Sequence, residues 1–197
     1  GGLQAPYVFR DGRRFVMFYG DWANICSQES SDGKVFTRRL DAGGKAALFG
    51  QDFDSNARDP MVLRVGGEWI CYYSAHPNAK GAVYARVSRD LVKWGPERLV
   101  AGAGVNSKNP RYAAECPFVV EPKPGEYYLF HTQNYGREAH TTVRHSRDPL
   151  DFISREKENV VCTLPIAAPE IFQHEGHWYL ASLLALRGIQ ISRLVWE

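Results

Sequence analysis

No apolar run in the 197-residue sequence approaches the roughly 20 residues that a membrane-spanning helix requires. No signal peptide is visible at the start, Gly1-Gly2-Leu3, although a processed or truncated chain would also lack one. These absences exclude an integral membrane protein, predict no membrane partner and favour a cytoplasmic location.

Charge of one sign is also scarce. The formal net charge is +2, and the longest basic runs are the pairs Arg13-Arg14 and Arg38-Arg39. Nucleic-acid-binding domains concentrate Lys and Arg on one face or in long basic runs. The sequence therefore predicts no nucleic-acid partner.

Cysteine is rare and lies outside the usual metal motifs. The four cysteines, about 45 residues apart and without a Cys-x-x-Cys pair, are Cys26, Cys71, Cys116 and Cys162. This spacing supports neither a zinc site nor a dense disulfide framework, so we expect four buried thiols. The six histidines show no metal-site spacing, and neither a glycine-rich phosphate loop nor a Gly-x-Ser-x-Gly elbow occurs. We therefore predict no metal and no cofactor.

Sustained helical periodicity is absent as well, because Pro, Gly and β-branched or aromatic residues interrupt every window. Aromatic residues, in contrast, make up 13% of the chain. Aromatic rings suit half-buried strands, and they also suit stacking on the faces of sugars. Composition alone favours an all-β protein.

Four segments share one plan, in which a proline leads into an apolar strand, a glycine-containing turn and an aromatic-rich strand. The segments are Ala5-Pro6-Tyr7-Val8-Phe9, Asp59-Pro60-Met61-Val62-Leu63, Cys116-Pro117-Phe118-Val119-Val120 and Ala168-Pro169-Glu170-Ile171-Phe172. The turns contain Asp11-Gly12, Gly66-Gly67, Pro124-Gly125 and Glu175-Gly176. Glycine supplies the positive φ of a tight hairpin, so each repeat is predicted to begin with a β-hairpin.

A second repeat, Ser-x-Asp-x-x-x-aromatic, lies further along three of the units. Its instances are Ser30 to Phe36, Ser88 to Trp94 and Ser146 to Phe152. The Ser hydroxyl and the Asp carboxylate are expected to close a tight turn, and the aromatic residue to anchor the outer strand.

Two repeats in step predict a β-propeller of four-stranded blades in one domain, residues 1–197, with blades near 1–50, 51–104, 105–163 and 164–197. The alternatives are a β-sandwich, which rarely carries such long repeats, and a solenoid, whose repeats are usually shorter. Four visible units, the last ending in the strand Gly188–Trp196, allow a four-bladed ring. They favour a five-bladed type whose first blade lies upstream of Gly1. Self-association or a second chain would then complete the propeller.

Asn56-Ala57-Arg58-Asp59-Pro60 contains the motif Arg-Asp-Pro, and Glu115-Cys116-Pro117 contains Glu-Cys one blade later. These motifs resemble the Arg-Asp-Pro and Glu-Cys signatures of glycoside hydrolase family 32, the β-fructosidases. The blade pattern is also similar to that of the five-bladed family 43 arabinanases and xylosidases. The resemblance covers the whole chain as a fold but only two short motifs as chemistry. It implies hydrolysis of an oligosaccharide or glycoside, with a furanose as a candidate at the cleavage position.

The resemblance also implies roles for individual residues. Glu115 would be the general acid/base, Asp59 would stabilise the transition state, and Arg58 would add a polar contact to the sugar. The family's nucleophile lies in an Asn-Asp-Pro-Asn-Gly segment of an earlier blade, but this chain has Gln4-Ala5-Pro6, with alanine in the aspartate register. Either the nucleophile belongs to an upstream blade, or the chain is a non-catalytic carbohydrate-binding propeller or a fragment.

Glycoside hydrolysis requires two carboxyl groups beside the scissile bond, one of them protonated. The sequence neighbours of Glu115 are mostly apolar, from Tyr112 to Phe118, and are expected to favour the protonated acid. Arg58 is expected to keep Asp59 ionised, although alternation along a strand sends these two side chains to opposite sides. The structural alternative is a solvent-facing Glu115 and an Arg-Asp pair that only caps a strand.

Other candidates for the sugar site lie near the ends of predicted strands. Gln4 and Asn56 are polar residues shortly before the repeated prolines, and we assign them to substrate binding. Trp22 and Tyr135 follow the second strands and are candidate sugar platforms, with packing between blades as the alternative.

Two further residues have open assignments. Glu170, one residue after Pro169, is either a third pocket carboxylate or a hydrogen-bonded strand residue. His131 either approaches an ion or water on the propeller axis or has a structural role.

Overall fold

The structure, a computed structural model, describes residues 2–50, 56–104, 108–154, 158–185 and 187–196. These residues form four antiparallel sheets and contain no α-helix, only 3-10 turns at Pro77–Ala79, Pro110–Tyr112 and Gly136–Glu138. None of the described helical segments is long and apolar enough to cross a membrane.

Each sheet follows the chain from strand to neighbouring strand. The first contains β1 (Gln4–Asp11), β2 (Arg14–Gly20), β3 (Asn24–Ser30) and β4 (Thr37–Arg38), with β5 (Ala47–Gly50) also paired to β3. The second contains β6 (Arg58–Val65), β7 (Glu68–Ala75), β8 (Ala82–Ser88) and β9 (Arg98–Ala101). The third contains β10 (Glu115–Lys123), β11 (Glu126–Asn134), β12 (His140–Ser146) and β13 (Val160–Leu164). The fourth contains β14 (Ala167–His174), β15 (His177–Leu183) and β16 (Ile189–Leu194).

The first strand of every sheet lies at the centre of the molecule. Strands β1, β6, β10 and β14 pack against one another in chain order, and all four line one central pocket. The four repeated prolines therefore surround a single axis, and the prediction of an all-β propeller is confirmed.

Both sequence repeats form the turns predicted for them. In the hairpin between β6 and β7, Gly66 and Gly67 have φ of 57° and 88°, values that favour glycine. In the second repeat, the Ser88 hydroxyl donates to Asp90 Oδ1 at 3.1 Å and accepts from the Leu91 amide at 2.9 Å. The Ser30 turn closes in the same manner. At Ser146 the hydroxyl accepts the Asp148 amide and Asp148 Oδ1 accepts the Leu150 amide, because Pro149 has no N–H to donate.

The core fills the spaces between neighbouring sheets. One cluster joins the first two sheets through residues such as Phe18 and Tyr73, and another joins the second, third and fourth through residues such as Val119 and Leu180. Blades thus bury their faces against each other, as radial stacking requires.

In the part of the chain that the structure describes, the fourth sheet is covered on one face. Trp196, which follows β16, packs against Tyr128 and Phe130 of the third sheet, whereas Phe172, Ile189 and Ile191 are exposed. Over the described residues, β1 and β14 make no contact comparable to those between the other consecutive inner strands. A fifth unit stays a prediction.

The cysteines are free thiols, and Cys26 and Cys71 are buried. The prediction of burial is wrong for Cys162, which is exposed because it lies on β13, the outer edge strand of the third sheet.

Candidate active site at the end of the inner strands

Every inner strand contains a β-bulge immediately before its proline. The strand register shifts at this point in all four hairpins. The bulged residues have φ between 44° and 53° and are Ala5, Asp59, Cys116 and Ala168. Such values are uncommon and costly for residues other than glycine, and backbone strain of this kind clusters at functional sites. The site is therefore built on a strained feature repeated in each blade.

The bulge changes which side chains share a surface. Because it interrupts the period of two, Arg58 and Asp59 meet at one site, with Nε and Oδ2 3.8 Å apart. The prediction that they face opposite sides is wrong for this reason.

Arg58 is the centre of the polar cluster. Its guanidinium donates to Glu115 Oε1 from Nη2 at 2.7 Å and from Nε at 3.2 Å, and to the Asn56 carbonyl from Nη1 at 3.0 Å. Only 3% of its side chain is exposed, and its guanidinium lies 5.7 Å from the centre of the Tyr112 ring. Buried guanidinium groups need such a full set of acceptors, so Arg58 links the second blade firmly to the third.

The contacts of Glu115 in the structure differ from those that its neighbours in the sequence suggest. Its Oε1 accepts two hydrogen bonds from the charged guanidinium of Arg58. Sequence neighbours did not predict this, because Arg58 reaches Glu115 from the adjacent blade.

Asp59 is the more deeply buried carboxylate, with 9% of its side chain exposed. Its Oδ2 accepts the Cys116 backbone N–H at 3.1 Å. Burial raises the pKa of Asp59, while the Arg58 charge and the Cys116 N–H act in the opposite direction. The expectation that Arg58 alone keeps Asp59 ionised omitted this desolvation.

Tyr135 lies close to the carboxylates, although its hydroxyl has another partner. It follows β11, and its hydroxyl oxygen is 3.2 Å from Cys116 Sγ. Burial raises the pKa of both groups, that of Cys116 well above its usual value. Trp22, in contrast, is 60% exposed in the loop after β2, with a positive φ of 78°. Of the two candidate platforms, Trp22 therefore presents the more open ring.

The side chains of Gln4 and Asn56 bring amide oxygens to the same end of the inner strands. Gln4 Oε1 and Asn56 Oδ1 are buried and have no hydrogen-bond partner among the described residues. Unpaired acceptors in a polar site can accept hydrogen bonds from hydroxyl groups of a ligand.

Sequence reasoning missed the ring contacts around Arg58. Tyr112 covers the guanidinium, and the buried His76 meets the Tyr112 ring edge-on at 5.9 Å. His76 directly follows β7, as Tyr135 follows β11, and this shared position could have identified it.

His131 does not line the axial pocket. It lies on β11, where Arg144 Nε donates to its Nε2 at 3.2 Å. Burial, followed by the Arg144 charge, lowers the pKa of His131 to about 3, so the imidazole is neutral. The structural alternative for His131 is the one that the geometry supports.

The axial pocket has a volume of about 340 Å³ and is lined by the bulged residue, the proline and the next residue of each inner strand. That next residue is Tyr7, Met61, Phe118 or Glu170. The Tyr7 and Phe118 rings meet edge-on across the axis at 6.0 Å, and burial raises the pKa of Glu170. Glu170 is thus a carboxylate that lines the axial pocket. No group of three or more potential metal ligands occurs among the described residues.

Comparison of the coordinates with solved structures identifies the fold. An endo-1,4-β-xylanase from Bacteroides thetaiotaomicron matches with a TM-score of 0.72 at 17% identity, over 92% of this chain and 65% of that chain. An endo-arabinase from the same organism matches with a TM-score of 0.77 at 13% identity, over 100% and 76%. This chain has the fold of the β-propeller glycoside hydrolases.

The β-fructofuranosidase of Bombyx mori, of family 32, shares this propeller with a TM-score of 0.66 at 17% identity, over 91% of this chain and 42% of that chain. A variant of that enzyme was solved in complex with sucrose. This chain therefore spans only part of these hydrolases, 65% of the xylanase and 42% of the β-fructofuranosidase. Further propeller matches include family 43 and family 117 glycoside hydrolases and an N-acetylgalactosamine deacetylase from F. plautii. No family model and no curated protein matches the sequence.

Proposed function

We propose that this chain is a glycoside hydrolase that acts on an oligosaccharide or glycoside, with a furanose as the candidate residue at the cleavage position. The observation that carries the proposal is the cluster in which one guanidinium, Arg58, lies within 4 Å of both Asp59 and Glu115. The cluster occupies the strained ends of the inner strands of a propeller whose solved matches include a xylanase and an endo-arabinase.

Glu115 is assigned as the general acid/base. As the acid it gives a proton to the leaving oxygen while the bond from that oxygen to the anomeric carbon breaks, and as the base it takes a proton from the water that forms the new bond to that carbon. In the free protein Arg58 holds the Glu115 carboxylate, so the substrate must take over part of the hydrogen bonding of Arg58. Sugar hydroxyl groups can accept hydrogen bonds from the Arg58 N–H groups, which gives Arg58 a role in substrate binding.

Asp59 is assigned as the stabiliser of the positive charge that develops on the sugar ring. Its ionised form is supported by Arg58 and by the Cys116 amide. Gln4, Asn56, Trp22 and Tyr135 are assigned to the walls of the sugar site. Because alanine occupies the bulge at position 5, that bulge supplies no nucleophile or base.

The alternative is a propeller that binds carbohydrate without cleaving it. Two observations favour this alternative. The bulge at Ala5 carries no carboxylate, and in the free protein the Glu115 carboxylate is already hydrogen-bonded to Arg58. A shared propeller fold does not by itself fix an activity.

Release of reducing sugar from fructose-, arabinose- and xylose-containing oligosaccharides tests the proposal. We expect turnover by the parent protein and its loss in Glu115→Gln, with the exposed turn variant Glu175→Gln as the matched control. Calorimetric binding of an oligosaccharide without any turnover would favour the binding propeller, and the absence of both would reject the two functions.

A further inference from the structure

The contact between Tyr135 and Cys116 connects the rim of the site to its backbone. The Tyr135 hydroxyl oxygen lies 3.2 Å from Cys116 Sγ, and either atom can be the donor. Since burial raises the pKa of both groups, both are neutral near pH 7 and can share a hydrogen bond. Stacking of a sugar on the tyrosine ring would not require this contact.

The backbone of Cys116 makes the second connection. Cys116 is the bulged residue of β10, with φ of 49°, and its N–H donates to Asp59 Oδ2 at 3.1 Å. In the next blade, the bulge amide of Ala168 donates to the Thr132 hydroxyl at 2.9 Å. A bulge amide therefore bonds to an oxygen of the preceding blade, and at Cys116 that oxygen belongs to a candidate catalytic carboxylate.

The side chain at the bulge distinguishes this blade from two others. Alanine occupies the equivalent position at residues 5 and 168, where the side chain cannot form a hydrogen bond. At residue 116 the thiol is bound by Tyr135, which restrains a strained backbone conformation from a neighbouring strand.

We propose that Tyr135 is a positioning residue, whose hydroxyl holds the Cys116 side chain and thereby keeps the Cys116 amide on the Asp59 carboxylate. The catalytic meaning of this coupling rests on the proposed function. The coupling itself is a property of the free protein and can be measured without a substrate.

The test follows the titration of Asp59 by carboxyl-¹³C NMR of aspartate-labelled protein, with the resonance identified by its loss in Asp59→Asn. In Tyr135→Phe the Cys116 amide is expected to leave Asp59, so the carboxylate loses a donor and its titration midpoint rises by about 0.5–1 pH units. Cys116→Ala should give the same rise. Cys116→Ser keeps a group that can bond to Tyr135 and should restore the parent midpoint.

The other groups that face Asp59, namely Arg58, Glu115 and the Ser74 side chain, are unchanged in these variants. Tyr179→Phe, on the partly exposed face of β15, is the matched control and should leave the midpoint in place. An unchanged midpoint in folded Tyr135→Phe would overturn the inference. If Tyr135→Phe does not fold, equal midpoints in Cys116→Ala and Cys116→Ser would overturn it instead. A shifted midpoint in a protein without glycosidase activity would support the positioning role and reject only the proposed function.

Discussion

At the scale of single residues, the two carboxylates of the cluster should differ in how their removal depends on the leaving group. Glu115→Gln should lower the rate on natural glycosides by about 10²–10⁴, the usual contribution of general acid–base catalysis. An activated aryl glycoside needs little protonation of its leaving oxygen, so its glycosylation step should be affected much less. Asp59→Asn should lower turnover of both substrates, because the Asp59 carboxylate acts on the sugar ring and not on the leaving group.

Initial rates of both variants on matched natural and activated substrates provide the measurement. Equal losses for Glu115→Gln on the two substrates would remove it from the acid role. If the leaving-group dependence appeared in Asp59→Asn instead, the acid would be Asp59, whose burial already favours the protonated form.

The burial of Asp59 also predicts how stability depends on pH. Its pKa is raised in the folded protein, so it contributes stability that is present below its unfolded pKa and is lost as pH rises through the folded pKa. Asp59→Asn should therefore gain stability relative to the parent between about pH 4, near the unfolded pKa, and pH 7. Urea unfolding at several pH values measures this difference.

Asp90 supplies a control of opposite sign. Backbone N–H groups of Lys93 and Val92 lower the pKa of Asp90, so its contribution is present above the unfolded pKa and is lost as pH falls. Asp90→Asn should therefore lose stability relative to the parent as pH rises toward about 4, near the unfolded pKa, and show little further change above it. The same trend in both variants would contradict the assignment of these shifts.

At this scale the sequence named candidate residues but did not predict their contacts. Arg58, Asp59 and Glu115 could be named because each lies one or two residues before a repeated proline. The hydrogen-bond partner of Arg58 could not be named from the sequence. Glu115 and Asp59 are both candidates, and only the packing of two blades decides between them. Tyr112 was missed for the same reason: its ring covers a guanidinium from another blade.

At the scale of strands and turns, the bulges should behave as sites of backbone strain. Ala168 has φ of 48° and should be relieved by glycine, so Ala168→Gly should be neutral or stabilising by up to about 1 kcal/mol. Ala181→Gly, within regular pairing of β15, should instead destabilise by about 0.5–1 kcal/mol. Chemical denaturation compares the two. A larger loss for Ala168→Gly than for Ala181→Gly would show that the bulge is not strained.

The elements themselves were largely predictable, and the reason is their local chemistry. Glycine-containing turns identify hairpins, and the Ser-x-Asp turn closes on hydrogen bonds within a few residues, as at Ser88. The bulges were not predictable in the same way. A positive φ at alanine or cysteine has no local preference behind it, so strand alternation gave the wrong side for Asp59.

At the scale of the whole molecule, the propeller follows from repetition. Each blade must bury two faces, and repeats in step place equivalent prolines at equivalent depth around one axis. Repetition does not specify how the last blade meets the first, because that junction depends on the faces presented by the first and fourth sheets. The fourth sheet presents exposed Ile189 and Ile191 on its outer strand.

That exposed face leads to a prediction about association. Ile191 is 64% exposed on β16, which is an edge strand of the fourth sheet over the described residues, and exposed edges with apolar side chains promote contact between chains. Ile191→Lys should therefore reduce self-association without loss of folding, because charge on an edge disfavours pairing. Sedimentation velocity over a series of protein concentrations measures the change.

Leu194→Ala, on the face that packs against the third sheet, is the contrasting variant and should lower stability by about 1–3 kcal/mol while leaving the edge intact. Concentration-dependent association that is equal in parent and Ile191→Lys would show that this face is not the surface through which chains meet.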